Sequence, residues 1–341
     1  MGELARGGIE VKLACSSQSE IYAAANARGL STEPVPFRAS LHAPSLISAR
    51  RLMANWRPDL VVSHSGHDAD ICFLVARTLS HRPRLVRART YQHGVPHAWS
   101  YNWLADLTVV PSEEVRRRIL VNPRIDAGRI HVLYPGISFE TLDAQSNLPL
   151  NPDIAAWLSR RSGPVLVHGA MLRPEKGHLQ MLEVVAELCA RFSGLCYVIA
   201  GEGGMRQDIE ARINALGLSD RVLLAGFVQP LAPLLKRADL AVMPSTFEPL
   251  GMSQSEALAL GIPVVASRTG GIPETIADGR TGILVEPNDI NQWVTGISNA
   301  LENIEQARAM ATEGRRFVRS RFSIETNVSR LIALAGSSAI S

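Results

Sequence analysis

The stretch FEPLGMSQSEALALGIPVVAS, residues 247–267, decides the fold. It is entered from ADLAVMPS (238–245) and leaves through IPVVAS, two short apolar runs of the kind buried in parallel sheets. Between them Pro249 disfavours helix at Glu248. Past Gly251 the run SQSEALAL has helical character and ends at Gly261, which suits a helix C-cap. Strand, loop, helix and strand follow in that order. The loop TFEPLG therefore lies at the C-terminal end of a strand, where open α/β sheets bind ligands.

The same rhythm extends along the whole chain. EVKLAC, TEPVPF, DLVVSH, RLVRAR, LTVVPS and IHVLYPG recur in the first half. PVLVHGA, LCYVIAGEG, RVLLAGF, LAVMPS, IPVVAS and GILVEP recur in the second. Segments of helical periodicity such as LQMLEVVAELCARF separate most of them. Twelve strands exceed one ordinary sheet, and 341 residues exceed one ordinary core. The fold class expected is α/β, with two Rossmann-like, doubly wound parallel-sheet domains. The polar piece 141–163 interrupts the rhythm and marks the boundary. The expected domains are 1–145 and 146–320, with a closing helix over 321–341 that packs back toward the first domain.

Composition excludes several classes. The net charge is +3. Residues 1–150 carry 17 Lys and Arg against 13 Asp and Glu, and the remainder 18 against 19. Neither balance argues for nucleic acid. Arg77, Arg82, Arg84, Arg87 and Arg89, then Arg116 to Arg118, form a local basic cluster. It reads as a solvated surface, or as a face toward anionic lipid or a phosphorylated acceptor. No apolar run approaches the roughly 18 residues of a membrane span. The opening MGELARGGIEVKLAC is not a targeting segment, so a cytoplasmic location is expected. The four cysteines, Cys15, Cys72, Cys189 and Cys196, form no CxxC pair and read as buried free thiols.

The chemistry is carried by charged residues placed at strand ends. Glu248 precedes the helix start near Gly251, and Glu256 lies about one turn inside it. A helix N-terminus suits a phosphate, and carboxylates grip vicinal hydroxyls. Hydroxyl-bearing groups on both sides of a diphosphate describe a nucleotide sugar. In VHGAMLRPEKGH (167–178) a strand ends at Gly169, and Arg173 and Lys176 follow. Two cations there would stabilise a departing diphosphate. In LCYVIAGEGGMRQ, Gly201, Gly203 and Gly204 imitate a dinucleotide fingerprint, but Arg206 occupies the third glycine position. The loop is still expected to let a nucleotide approach the backbone.

Taken together, YPGIS, LRPEKGH, VIAGEGG, RVLLAGF, ADLAVMPS, FEPLGMSQSEALALGIPVVAS and GGIPETIADGRTGILVEP resemble the retaining GT-B glycosyltransferases of the family-4 (glycosyl transferases group 1) type. The likeness covers roughly residues 130–325. It implies two domains facing a cleft. It also implies a sugar transferred from a UDP-, GDP- or ADP-sugar to an acceptor hydroxyl, with no metal and no bound cofactor. By this resemblance Glu256 binds the donor ribose and Glu248 the donor sugar. Leu250, Gly251, Met252 and Ser253 surround the distal phosphate, Arg173 and Lys176 stabilise the leaving diphosphate, and Gly226 and Phe227 lie near the base. His64, in DLVVSHSGHDAD, matches the family's active-site histidine. His67, Arg89 and His93 are acceptor-side candidates, and His97 is a weaker one. The implied acceptor is a carbohydrate or a lipid-linked sugar of cell-envelope polysaccharide, lipopolysaccharide or glycolipid, with peripheral contact at the inner face of the membrane.

Two departures matter. Ala170 stands where the family form GRLxPxKG has Arg, which leaves Lys176 firmer than Arg173. The chain also starts at GELARGG, in what resembles the family's first helix, without the strand and Gly-rich loop that precede it. The expectation is an N-terminal domain lacking its first strand, with donor binding kept and catalysis weak or absent. Two alternatives follow: a catalytically silent homologue or partner subunit that binds nucleotide sugar, and a sugar-nucleotide epimerase of the same architecture.

Overall fold

The computed structural model describes residues 1–92 and 94–336. It divides into two compact units, one of Met1–Gly136 with 324–336, the other Ile137–Ser323. Each unit alternates strands and helices, as the apolar runs require.

The strands of the first unit are β1 (Leu13–Cys15), β2 (Thr32–Pro34), β3 (Leu60–Ser63), β4 (Arg84–Ala88), β5 (Leu107–Val110) and β6 (Ile130–Val132). They form two sheets, β1-β2 and β3-β4-β5-β6, with every pair parallel. No ladder joins β1 to β3 among the described residues. The two sheets are bridged by side chains instead. Ala14, Val35 and Phe37 share one core with Val61 and Leu85 and with Met53 and Ile71 from the helices Ala43–Trp56 and Gly66–Ala76. Leu331 and Leu334, from the helix Ile324–Ala335, pack against Val86, Leu107 and Val109.

The second unit holds β7 (Val165–Gly169), β8 (Cys196–Ala200), β9 (Val222–Gly226), β10 (Leu240–Met243), β11 (Val264–Ser267) and β12 (Ile283–Val285). Their order is β12-β11-β10-β7-β8-β9, all parallel. That is the 3-2-1-4-5-6 winding, and its direction reverses between β7 and β10. All five residues of β8 are buried, because helices cover both faces of the sheet. Leu166, Tyr197, Val242 and Val265 meet Met181, Leu188, Trp293 and Ile297 in one core.

Three expectations change. Segment 141–163 is no linker but carries the helices Phe139–Ser146 and Pro152–Ser159. Ser138 caps the first; Asn151 and Pro152 start the second. The chain passes between units at 136/137 rather than at 145/146, because Asp143 and Asn147 bond Arg319 and Lys236 of the second unit. It returns at 323/324, beside the outward crossing, where the Ile137 N–H donates to Phe322 O at 2.8 Å. Cys72 and Cys196 are buried, and burial pushes their thiols up to about 12 and about 11. Cys15 and Cys189 are only half-buried.

Candidate functional site

The second unit places its charged loops at the switch point. β7 leads into the loop that carries Arg173 and Lys176. Its neighbour β10 leads into Pro244–Met252 and then the short helix Ser253–Ala259. Lys176 and Glu248, 72 residues apart, form an ion pair between their Nζ and Oε2 atoms. Their side chains are only 14 % and 12 % exposed. A burial of this depth leaves the pair little screening by water, and the charges hold each other in place.

Backbone contacts fix the loops around this pair. The Thr246 N–H donates to Glu175 O at 2.8 Å, and the Thr269 hydroxyl to Thr246 O at 3.0 Å. Ser253 Oγ donates to Gly169 O at 2.6 Å, which ties the helix start to the end of β7. The glycines matter at two positions. Gly177 has φ 72°, and a Cβ there would sit 2.0 Å from Pro244 O. Gly270 has φ 55°, and a Cβ would sit 1.9 Å from Glu248 O. The neighbouring Gly271 N–H donates to that same carbonyl at 2.9 Å. The Glu248 backbone is thus clamped between its own loop and the turn after β11.

Glu256 stands in the first turn of the helix, where its own N–H donates to Met252 O at 2.8 Å. Burial raises its carboxyl above the ordinary range. Leu250 is buried, while Met252 and Ser253 are half-buried around Gly251. Gly226 ends β9, three strands from β10 across the sheet edge, which is roughly 14 Å at normal strand spacing. Phe227, beside it, is exposed.

The glycine loop after β8 packs against the loop after β7. A Cβ on Gly201 would lie 1.9 Å from Ala170 O, and one on Gly203 2.4 Å from Leu172 O. The Leu172 N–H also donates to Glu202 O at 2.9 Å. These two glycines let two protein loops touch, while the Cβ position of Gly204 stands open. Arg173 stands apart from the buried pair. Its side chain is 56 % exposed, and its nearest carboxylate is Glu175, at 4.0 Å. Nothing pairs it with Glu248.

Sequence reading missed a buried cluster beneath the cationic loop. His168 on β7 shares a 2.7 Å hydrogen bond with the Tyr197 hydroxyl. Its ring lies 4.4 Å from that of His178, whose Nε2 lies 3.0 Å from Met171 O. Burial holds both imidazoles below their ordinary pKa, with Lys176 adding to the effect. The signal was a histidine near each end of VHGAMLRPEKGH.

In the first unit, His64 is exposed after β3, and its N–H donates to Asp68 Oδ2 at 2.9 Å. His67 Nδ1 lies 3.1 Å from Ser40 Oγ. Arg89 follows β4, and its N–H donates to Val109 O at 2.8 Å. His93 lies outside the described residues. The basic cluster is not one face. Arg87 is buried over the Tyr101 ring, Arg77 stacks on Phe73, and Arg82 pairs with Asp106 at 2.9 Å.

A doubly wound parallel sheet joined to a second parallel α/β unit is the architecture of the GT-B class. Two family models match the chain, Glycosyltransferase Family 4 over residues 1–141 and Glycosyl transferases group 1 over residues 152–317. The chain belongs to this family, the GT-B glycosyltransferases of the family-4 type. It is 30 % identical to an alpha-D-kanosaminyltransferase of Streptomyces kanamyceticus, over 64 % of this chain and 56 % of the relative. It is also 30 % identical to a GDP-mannose-dependent phosphatidylinositol monomannoside mannosyltransferase of Mycolicibacterium smegmatis, over 54 % and 52 %. The chain thus spans about half the length of the curated relatives it matches. Among solved structures, a glycosyltransferase of Rickettsia africae superposes with a TM-score of 0.86 at 18 % identity, over 98 % of this chain and 92 % of that one. Anabaena HepE, solved with UDP and glucose, gives 0.80 at 17 % identity, over 96 % and 91 %. These two likenesses concern the fold.

Proposed function

We propose that the protein is a retaining, metal-independent glycosyltransferase that moves a sugar from a nucleotide-sugar donor to an acceptor hydroxyl. The observation that carries this is the buried Lys176–Glu248 pair at the switch point of the second sheet. Lys176 supplies positive charge where a diphosphate departs, and Glu248 accepts from hydroxyls of the transferred sugar. Glu256 takes the ribose, Gly251 to Ser253 the distal phosphate, and Gly226 with Phe227 the base. Arg173 joins Lys176 in stabilising the departing diphosphate. In the first unit the roles proposed are His64 for the transferred sugar and His67 and Arg89 for the acceptor. The relatives support a nucleotide-sugar donor: one is named for GDP-mannose, and one structure holds UDP. The proposed acceptor is a carbohydrate or a lipid-linked sugar, met at an anionic membrane surface on the cytoplasmic side. No helix among the described residues is long and apolar enough to cross a membrane.

One observation favours a second possibility. The first unit keeps β1-β2 and β3–β6 as separate sheets. That suits a homologue that binds nucleotide sugar without transferring it. The deciding experiment is a thermal-shift panel with UDP-, GDP- and ADP-sugars, followed by donor turnover with the stabilising one. Stabilisation plus turnover that disappears in Glu248→Ala supports the transferase. Stabilisation without turnover supports the silent homologue, and no shift with any donor overturns both.

A further inference from the structure

We infer that His178 is a positioning residue for Lys176: its ring closes the loop that carries the cation, and His168 and Tyr197 fix that ring from behind. His178 opens the helix His178–Arg191, directly after Gly177. Its Nε2 lies 3.0 Å from Met171 O, seven residues earlier in the chain. A carbonyl oxygen only accepts, so Nε2 carries the ring proton. The Arg173 N–H donates to the same oxygen at 2.9 Å, and the Lys176 N–H donates to Arg173 O at 3.0 Å. The residue that opens the loop is thereby tied to the residue that closes it, with Arg173 and Lys176 in between.

The ring is itself held in place. His168 and His178 are 0 % and 1 % exposed, with ring centroids 4.4 Å apart. Beyond His168, the Tyr197 hydroxyl lies 2.7 Å from Nδ1. Burial raises the Tyr197 phenol well above its ordinary range, so it keeps its proton and donates it to that nitrogen. His168 then carries its own proton on Nε2. Two ring atoms are left over, the His168 Nε2 donor and the His178 Nδ1 acceptor. Both are buried without a hydrogen-bond partner among the described residues. Orphaned polar atoms of this kind cost stability, and two apolar side chains in the same space would avoid that cost. The gain that the imidazoles leave is the N–H on Met171 O, and it acts on the Lys176 loop.

The other flank of the loop is held from outside. The Leu172 N–H donates to Glu202 O, and Glu175 O accepts from the Thr246 N–H. His178 supplies the hold at the base. A cation aimed at a departing diphosphate acts best when it is fixed before the reaction begins. A loop free to drift would keep the Lys176 charge but lose its aim. The loss would then fall on kcat more than on donor binding. The effect on rate rests on the role proposed above for Lys176; the hold on its loop does not.

The test uses the scarcity of lysine. Lys12, Lys176 and Lys236 are the three lysines of the chain, and Lys236 is exposed. Acetylation of the full chain with acetic anhydride, followed peptide by peptide in a mass spectrometer, reports each one separately. Lys176 should react more slowly than Lys236. His178→Phe fills the ring's space without the N–H. It should let Lys176 react roughly two- to tenfold faster, the weight of one lost hydrogen bond, with Lys236 unchanged. His178→Gln keeps an N–H at similar reach and should restore the parental rate. Nitrogen NMR of the histidine-labelled parent should show His178 as the neutral Nε2–H tautomer, a measurement that needs no variant to fold. With a donor that turns over, His178→Phe should lower kcat roughly 10–100-fold with little change in KM, and His178→Gln should recover it. An Nδ1–H tautomer on His178, parental labelling of Lys176 in His178→Phe, or equal effects of the two substitutions overturns the inference. If the parent turns over no donor, the transferase reading fails, while labelling and tautomer still decide the role of His178.

Discussion

At the scale of single residues the site is an arrangement of charges out of water. Lys176 and Glu248 are each buried enough that removing one leaves the other without compensation. Lys176→Met should therefore cost about 3–5 kcal/mol of stability in the second unit. It should also lower turnover by roughly 10²–10³, the scale seen when one transition-state charge contact is lost. Denaturant unfolding and initial rates measure the two separately; an unchanged midpoint would mean that the pair is not held as described. Glu256 gives a prediction with a pH sign. Burial raises its folded-state pKa above the unfolded value, near 4.5. A carboxyl raised in this way favours the folded state at acid pH, and the advantage is lost as pH rises through the folded value. Glu256→Gln should therefore melt higher than the parent at neutral pH, with the gap closing as pH falls toward 4.5. The same variant should lose the stabilisation given by nucleotide. A gap independent of pH would reject burial as the cause.

The elements show why the charged residues meet. Each sits on a loop at the C-terminal end of a parallel strand, and glycines let those loops lie within backbone contact. Gly177 is the sharpest case, since it combines a positive φ with a 2.0 Å approach of its Cβ position to Pro244 O. Gly177→Ala should shift the loop from Arg173 to Lys176 away from the β10 loop. The expected cost is at least about 1–3 kcal/mol, with weaker nucleotide binding. A melting curve and a nucleotide titration test both, and parent-like values in both would refute the clamp. The strand–helix rhythm itself was legible in the sequence. All twelve apolar runs contain the observed strands, and the helix after Gly251 ends where Gly261 takes φ 79°. The role of the Gly201–Gly203 loop was not legible. A glycine needed for approach to a phosphate and one needed for approach to a neighbouring carbonyl leave the same mark in a sequence. Segment 141–163 misled for a related reason: polar composition and prolines suit a linker, but Ser138, Asn151 and Pro152 are also helix starters.

At the scale of the whole molecule there are two units with separate cores. Units with their own cores unfold as their own cooperative steps. Calorimetry should resolve two transitions, and a stabilising nucleotide sugar should raise only that of Ile137–Ser323. One transition that moves as a whole would show instead that the units are energetically joined. The sequence alone determined the strand and helix order, the parallel α/β class and the identity of the charged loop residues. These follow from local hydrophobic period and from residue types that only certain turns accept. The tertiary structure decided which of those residues act together. It paired Lys176 with Glu248, left Arg173 in solvent, spent two glycines of the β8 loop on protein contact, and buried His168 and His178 behind the loop. Pairing across 72 residues and burial behind a loop depend on how distant elements pack, and no local pattern records that.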